Sequence, residues 1–246
     1  MATHESRGHP HHPDPVLITL TEPKSAASEA FRTLRTNIQF AGLDQPCRTI
    51  LVTSAGPEEG KTTSAANFGV VAAQAGSRVC VVDSDLRRPT LHRLFKLSNT
   101  RGLTTALVEG LSFAEVAQPT TVPNLSILTS GPLPPNPAEL VGSHRMREGL
   151  HAATESFDLV LCDSPPLMAV GDASALAAQC DGVVFVIRAG KTPNDVLRRV
   201  VDQIESVKGR ILGVVLNRVD PRRDGYYYYY RAYQRYYGAD EGNAKR

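Results

Sequence analysis

The first 225 residues contain no tyrosine; all eight lie between Tyr226 and Tyr237. A packed core ordinarily draws on tyrosine for its broad ring and polar tip. This chain withholds it there and crowds it into the run Tyr226-Tyr227-Tyr228-Tyr229-Tyr230-Arg231-Ala232-Tyr233-Gln234-Arg235-Tyr236-Tyr237. Such a run offers phenol hydroxyls for chemistry. Taken alone it equally suits a sticky low-complexity segment or a stacking platform for single-stranded nucleic acid.

Other absences narrow the class. A net charge of only +2 argues against a dominant electrostatic role with nucleic acid or a membrane. No apolar run approaches the ~18–20 residues of a membrane span. The N-terminus lacks the apolar stretch of a secretory signal. His4, His9, His11 and His12 there read as a polar leader rather than a metal site. Cys47, Cys80, Cys162 and Cys180 form no C-x-x-C pair. Reduced, mostly buried thiols in a cytoplasmic protein are expected, with no disulfide framework. The dinucleotide fingerprint G-x-G-x-x-G is missing too, although Asp83 stands near the offset of a ribose-binding acid.

What is present is a series of short apolar runs. Ile50-Leu51-Val52, Val79 to Val82, Leu159 to Cys162, Val183 to Ile187 and Ile211 to Leu216 have strand character, and Leu125 to Leu128 is a weaker sixth. Near-continuous apolar runs suit strands buried on both faces of a parallel sheet. Helical stretches intervene at Thr63 to Ala75, Asp172 to Gln179 and Asn194 to Val207. The expected class is therefore α/β, a wound, mostly parallel sheet flanked by helices. Gly131 to Pro137, with four prolines, reads as a surface crossover. We expect a flexible leader over residues 1–24, one domain over 25–219 and a mobile tyrosine-rich tail over 220–246.

Ser25 to Phe40 reads as an amphipathic helix with Ala27, Ala30, Phe31, Leu34 and Ile38 on one face. Glu29 and Arg32 lie on the other side and Arg35 at the flank. By periodicity alone they form a solvated face with an internal i,i+3 pair.

Thr49 to Thr63 reads strand, loop, helix, and its loop ends in Gly60-Lys61-Thr62. That is the context of a P-loop, whose backbone N–H groups and helix dipole favour phosphate. Gly56 and Gly60 keep the backbone thin, Lys61 reaches the β- and γ-phosphates, and the Thr62 hydroxyl ligates Mg²⁺, with Thr63 beside it in the first turn. The usual first glycine is Ala55 here, a mild change if φ stays negative. Glu58 and Glu59 put charge beside a phosphate site, so both side chains are expected to face solvent. Asp83 and Asp85 follow the second strand and Asp163 a later one, at the sheet edge where nucleotides bind. Phosphoryl transfer needs such carboxylates, one to position Mg²⁺ and one to take the proton of the attacking hydroxyl. ATP and Mg²⁺ are thus the expected cofactors.

These residues together resemble the cytoplasmic kinase domain of bacterial tyrosine kinases (BY-kinases) of capsule and exopolysaccharide production. The likeness spans about Ser25 to Tyr237. It rests on Ala55 to Thr62, on Val81-Val82-Asp83-Ser84-Asp85-Leu86-Arg87, on Asp163-Ser164-Pro165-Pro166, on Glu29, Arg32 and Arg35 as E-x-x-R-x-x-R, and on the tyrosine cluster. The resemblance implies a P-loop architecture like that of MinD and ParA proteins and an enzyme that autophosphorylates its tail. It implies Asp83 as the base, Asp85 and Asp163 around Mg²⁺, and Asn217 beside adenine. It also implies ring oligomers through Glu29, Arg32 and Arg35, a transmembrane activator that recruits the chain to the inner face of the membrane, and protein tyrosine substrates. Two rivals share the nucleotide site. One is a MinD/ParA-type ATPase switch, although no early P-loop lysine occurs between Thr49 and Gly60. The other is a non-enzymatic, nucleotide-dependent scaffold.

Overall fold

The computed structural model describes residues 17–42 and 46–220. Its strands are β1 (Thr49–Ser54), β2 (Val79–Asp83), β3 (Gln118–Pro119), β4 (Leu125–Leu128), β5 (Leu159–Asp163), β6 (Gly182–Arg188) and β7 (Ile211–Asn217). Helices α1 (Ile18–Thr21) and α2 (Ala26–Ala41) precede β1, and α3 (Lys61–Gln74) joins β1 to β2. Then come α4 (Leu91–Leu94), α5 (Leu103–Glu109) and α6 (Phe113–Val116), followed after β4 by α7 (Pro137–Val141) and α8 (His144–Ser156). The last two are α9 (Asp172–Ala177) and α10 (Asn194–Ser206).

The strands form one sheet in the order β3-β4-β2-β5-β1-β6-β7, parallel throughout except for the short antiparallel β3. The α/β expectation holds. Continuous apolar runs in β1 and β2 are buried from end to end because both faces are covered. Alternate residues serve two cores: Leu51 joins the one under α5 and α8, while Ile50 and Val52 join the one under α2 and α3. Full burial of each such side chain stabilises the fold by ~1.5–3 kcal/mol. Helix α3 lies close against the sheet at Gly69, where an added Cβ would come within 2.7 Å of Val81 Cγ2.

Register sets up the functional edge. Asp83, the last residue of β2, pairs with Asp163, the last of β5, and Asp163 is also opposite Val52 of β1. The two carboxylates therefore stand on adjacent strands at the carboxyl end of the sheet, beside the loop that leaves β1.

Three expectations are corrected. Residues ahead of the boundary set at 25 already pack on the domain: Leu17 and Thr19 are buried, and Thr19 bonds to Asn67 of α3 through its N–H (3.0 Å) and its hydroxyl (2.8 Å). On α2, Ala27 and Ala30 are exposed; Ser28 faces inward instead, donating to the Glu22 carbonyl at 2.8 Å, because α1 covers that end of the helix. Helix α3 starts at Lys61, two residues before the expected Thr63, because Gly60 takes φ +97° and caps it. The histidines of the leader and the tyrosine cluster lie outside the described residues.

Candidate active site

The loop from Ala55 to Gly60 turns β1 into α3. Lys61, Thr62 and Thr63 form the first turn of α3, whose N–H groups have no acceptor within the helix. Ala55 keeps a negative φ, so the missing glycine costs no strain. Gly56 accepts a hydrogen bond from Ser54 Oγ (2.8 Å) at its carbonyl.

Glu59 overturns its expected exposure. Only Glu58 is exposed; Glu59 is 6 % exposed. Its Oε2 accepts the Ala55 N–H at 3.1 Å and its Oε1 accepts the Thr192 hydroxyl at 2.6 Å. The carboxylate turns inward because it satisfies two donors there, one of them 133 residues away. Asn217 Nδ2 donates to the Glu59 carbonyl at 2.9 Å and so adjoins the loop.

Lys61 Nζ lies 3.0 Å from Asp85 Oδ2 and 3.6 Å from Asp163 Oδ1, and donates to Thr62 Oγ1 at 3.3 Å. Asp85 Oδ1 accepts the Arg88 N–H, and Asp83 Oδ2 accepts those of Thr90 and Leu91, each at 3.0 Å. Asp83 Oδ1 and both oxygens of Asp163 are buried without a hydrogen-bond partner. Lys61, Thr62, Asp83, Asp85, Asp163, Gly60 and Asn217 thus converge on one edge. Arg87, from the same D-x-D-x-R run, forks onto Asp172 at 2.8 and 3.2 Å and ties this segment to α9.

Three carboxylates share one ammonium. Burial, and then the neighbouring Asp163 charge, push the Asp83 carboxyl up to about 8. Burial also raises Asp163, against the pull of Lys61. Burial alone would lower Lys61, but the charges of Asp163 and Asp85 outweigh it and hold its proton firmly. An excess of buried, unpartnered carboxylate oxygen suits a bound cation. No three acidic, histidine or cysteine side chains form a metal cage among the described residues. Mg²⁺ ordinarily completes its shell with phosphates and waters, so a cage is not required.

Glu29 and Arg32 lie apart on α2, paired with each other, and Arg32 Nη2 also donates to the Pro23 carbonyl at 2.7 Å. Arg35 Nη1 reaches the Val71 carbonyl of α3 at 3.5 Å. The sequence reading missed Glu59 and Thr192 as site residues. The unusual acid beside a phosphate loop was the one signal available; nothing marks Thr192.

Comparison with known proteins agrees with this geometry. Residues 50–238 match the CobQ/CobB/MinD/ParA nucleotide binding domain. The tyrosine-protein kinase YwqD of Bacillus subtilis is 44% identical over 214 residues, covering 87% of this chain and 90% of that protein. Among solved structures, the chimerical protein CapA2B2 superposes with TM-score 0.78 at 38% identity, covering 82% of this chain and 89% of that one. The kinase domain of the Escherichia coli tyrosine kinase ETK gives 0.78 at 31% identity, with 87% of each chain covered. With a P-loop, paired carboxylates at the sheet edge and these relatives, the chain belongs to the bacterial tyrosine kinases (BY-kinases) and is a protein-tyrosine kinase.

Proposed function

We propose that this kinase transfers the γ-phosphoryl group of Mg·ATP to its own C-terminal cluster: Tyr226, Tyr227, Tyr228, Tyr229, Tyr230, Tyr233, Tyr236 and Tyr237. The supporting observation is that β7 ends beside the phosphate loop, with Asn217 Nδ2 2.9 Å from the Glu59 carbonyl oxygen. The chain leading to the tyrosines starts at the lip of the nucleotide site. Eight residues separate Asn217 from Tyr226, nine Cα-to-Cα steps that span roughly 30 Å when extended. A tail of that reach serves its own site or a neighbour's.

The residues divide the work. The N–H groups of Gly56, Gly60 and the first turn of α3 receive the phosphates, and Lys61 exchanges a carboxylate for a phosphate oxygen. Thr62, Asp85 and Asp163 hold Mg²⁺, which neutralises charge on the transferred group. Asp83 is buried, carries a free oxygen and has its proton affinity raised toward that of a phenol. It takes the tyrosine proton as the hydroxyl attacks. Asn217 borders the nucleotide on its adenine side.

In this reading the copies assemble in a ring, with Glu29, Arg32 and Arg35 exchanging their internal partners for those of a neighbour. A transmembrane activator of the polysaccharide machinery brings the kinase to the membrane, and further protein tyrosines serve as substrates. Each phosphotyrosine adds about −1.5 to −2 charges, so repulsion opens the ring and regulates synthesis. The test is incubation with Mg·ATP and the activating partner, read by phosphotyrosine blot. Controls are Lys61→Ala and a chain with all eight tyrosines changed to phenylalanine. Nucleotide hydrolysis with no tail phosphotyrosine would return the chain to the ATPase-switch reading. Nucleotide binding with neither hydrolysis nor transfer would favour the scaffold. Light scattering before and after the reaction tests the ring; an unchanged mass at full phosphorylation contradicts it.

A further inference from the structure

Past β2 the chain turns basic. No acidic residue occurs between Leu86 and Val108, whereas Arg87, Arg88, Arg93, Lys96 and Arg101 all do. Two of these five are engaged: Arg87 is forked onto Asp172, and Arg101 stands 3.6 Å from Glu109. Arg88, Arg93 and Lys96 are exposed. Among the described residues their side chains have no ion-pair or hydrogen-bond partner.

Solvated cations are ordinary on a protein surface; what distinguishes these is position. The backbone of the same segment closes the catalytic carboxylate site, with Arg88 N–H on Asp85 and the Thr90 and Leu91 N–H groups on Asp83. Arg93 and Lys96 follow within one helical turn, on α4 and just past its end. Lys61, inside the site, is already surrounded by carboxylates. The three outer cations therefore sit on the segment whose backbone closes the carboxylate site, and nothing described neutralises them.

The tract from Tyr226 to Tyr237 holds Arg231 and Arg235 and no acid. Unmodified, it carries the same sign as the strip and gains nothing there. With each phosphotyrosine contributing about −1.5 to −2, two of them reverse its sign. Arginine grips phosphate with a bidentate fork and lysine as a point charge.

We propose that Arg88, Arg93 and Lys96 form a docking strip for the phosphorylated tyrosine tract of this chain. The inference rests on the tail-phosphorylation reading above and extends it. The first transfer is made without help from the strip; later ones, made within a single chain after the ring has opened, draw on a tract held at the mouth of that chain's own site. Phosphorylation of the cluster is then self-reinforcing, with later tyrosines modified faster than the first.

The test uses the full chain with its eight tyrosines changed to phenylalanine, saturated with Mg·ADP so that the phosphate loop is occupied. The probe is a fluorescent synthetic peptide of residues 222–238, made with no phosphate or with three phosphotyrosines, and read by anisotropy. We expect the phosphopeptide to bind at least about ten-fold more tightly, with an affinity that falls steeply as salt rises. The triple variant R88Q/R93Q/K96Q should lose that preference while keeping its melting temperature. R93Q/K96Q, which leaves the segment next to Asp85 untouched, should lose part of it. Equal binding of the two peptides, or undiminished phosphopeptide binding by the triple variant, overturns the proposal. So does a strip-dependent affinity for phosphatidylserine vesicles that exceeds that for the phosphopeptide. Because the peptide is phosphorylated synthetically, a failure of tail transfer in the Mg·ATP assay leaves this measurement valid on its own.

Discussion

The Thr192 hydroxyl donates to Glu59 Oε1 at 2.6 Å and thereby joins the phosphate loop to the turn before α10. The other oxygen of the same carboxylate receives the Ala55 N–H at the start of the loop. Glu59 is thus a brace rather than a reactant. Removing it strands the buried Ala55 N–H, at a cost of ~1–3 kcal/mol, and leaves the half-buried Thr192 hydroxyl with only the Arg188 carbonyl at 3.5 Å. Glu59→Ala is expected to weaken Mg·ADP binding about ten-fold or more, ~1.4 kcal/mol or above, and Thr192→Val to weaken it less. Thr192→Ser should keep the parent affinity. Titration calorimetry on the two single variants and the double variant reads the coupling. Strictly additive effects would show that the two groups act separately.

In the proposed transfer Asp83 accepts a proton only when ionised, and burial with the Asp163 charge pushes its carboxyl up to about 8. A raised value means that the neutral form dominates below it, so the competent form is gained as pH rises. The specificity constant for a peptide tyrosine should climb about ten-fold per pH unit below about pH 7 and level off above about pH 9. Asp83→Asn should lower it by ~10²–10⁴-fold and flatten the profile. A flat profile in the parent enzyme would remove Asp83 from the proton step.

The packing of α1 hangs on Asn67. Its Oδ1 accepts both donors of Thr19, and its Nδ2 donates to the Thr63 carbonyl at 2.8 Å in the first turn of α3. Asn67→Ala breaks all three bonds and leaves buried partners, for an expected loss of ~2–4 kcal/mol in urea unfolding. Thr19→Val should cost about half as much. A loss below ~0.5 kcal/mol for Asn67→Ala would mean that residues 17–24 add nothing to the domain.

How much of this was legible depends on the range of the interaction. The strands could be read because runs such as Val79 to Val82 are apolar throughout, the mark of a sheet covered on both sides. Asp83, Asp85 and Asp163 could be read because each closely follows such a run, and sheet register then brings Asp83 opposite Asp163. Helix α8 gave a weak signal: only Met146, Leu150 and Ala153 of its thirteen residues are buried, a thin stripe in a polar segment. Short α5, with its single turn-and-a-half of apolar residues, was equally hard to see. Glu59 misled because its partner Thr192 is remote in sequence, and a buried acid near phosphate runs against simple electrostatics. Ala27 and Ala30 misled because alanine adds little to either face, so the neighbouring α1 decided the orientation of α2.

Gly60 sits where two demands meet. Its φ of +97° disfavours any side chain, and a Cβ there would come within 2.1 Å of Asn217 Nδ2. Gly60→Ala therefore adds left-handed strain of ~1–2 kcal/mol to a steric collision. The collision is relieved if Asn217 is shortened; the strain is not. Gly60→Ala is expected to destabilise the fold measurably and to abolish tight Mg·ADP binding. In Gly60→Ala/Asn217→Ala, part of the stability should return while binding stays poor, because the loop has lost both its thin backbone and its anchor at the Glu59 carbonyl. Full recovery of binding in the double variant would mean that the loop needs only space at residue 60. Its left-handed backbone would then be incidental to holding phosphate.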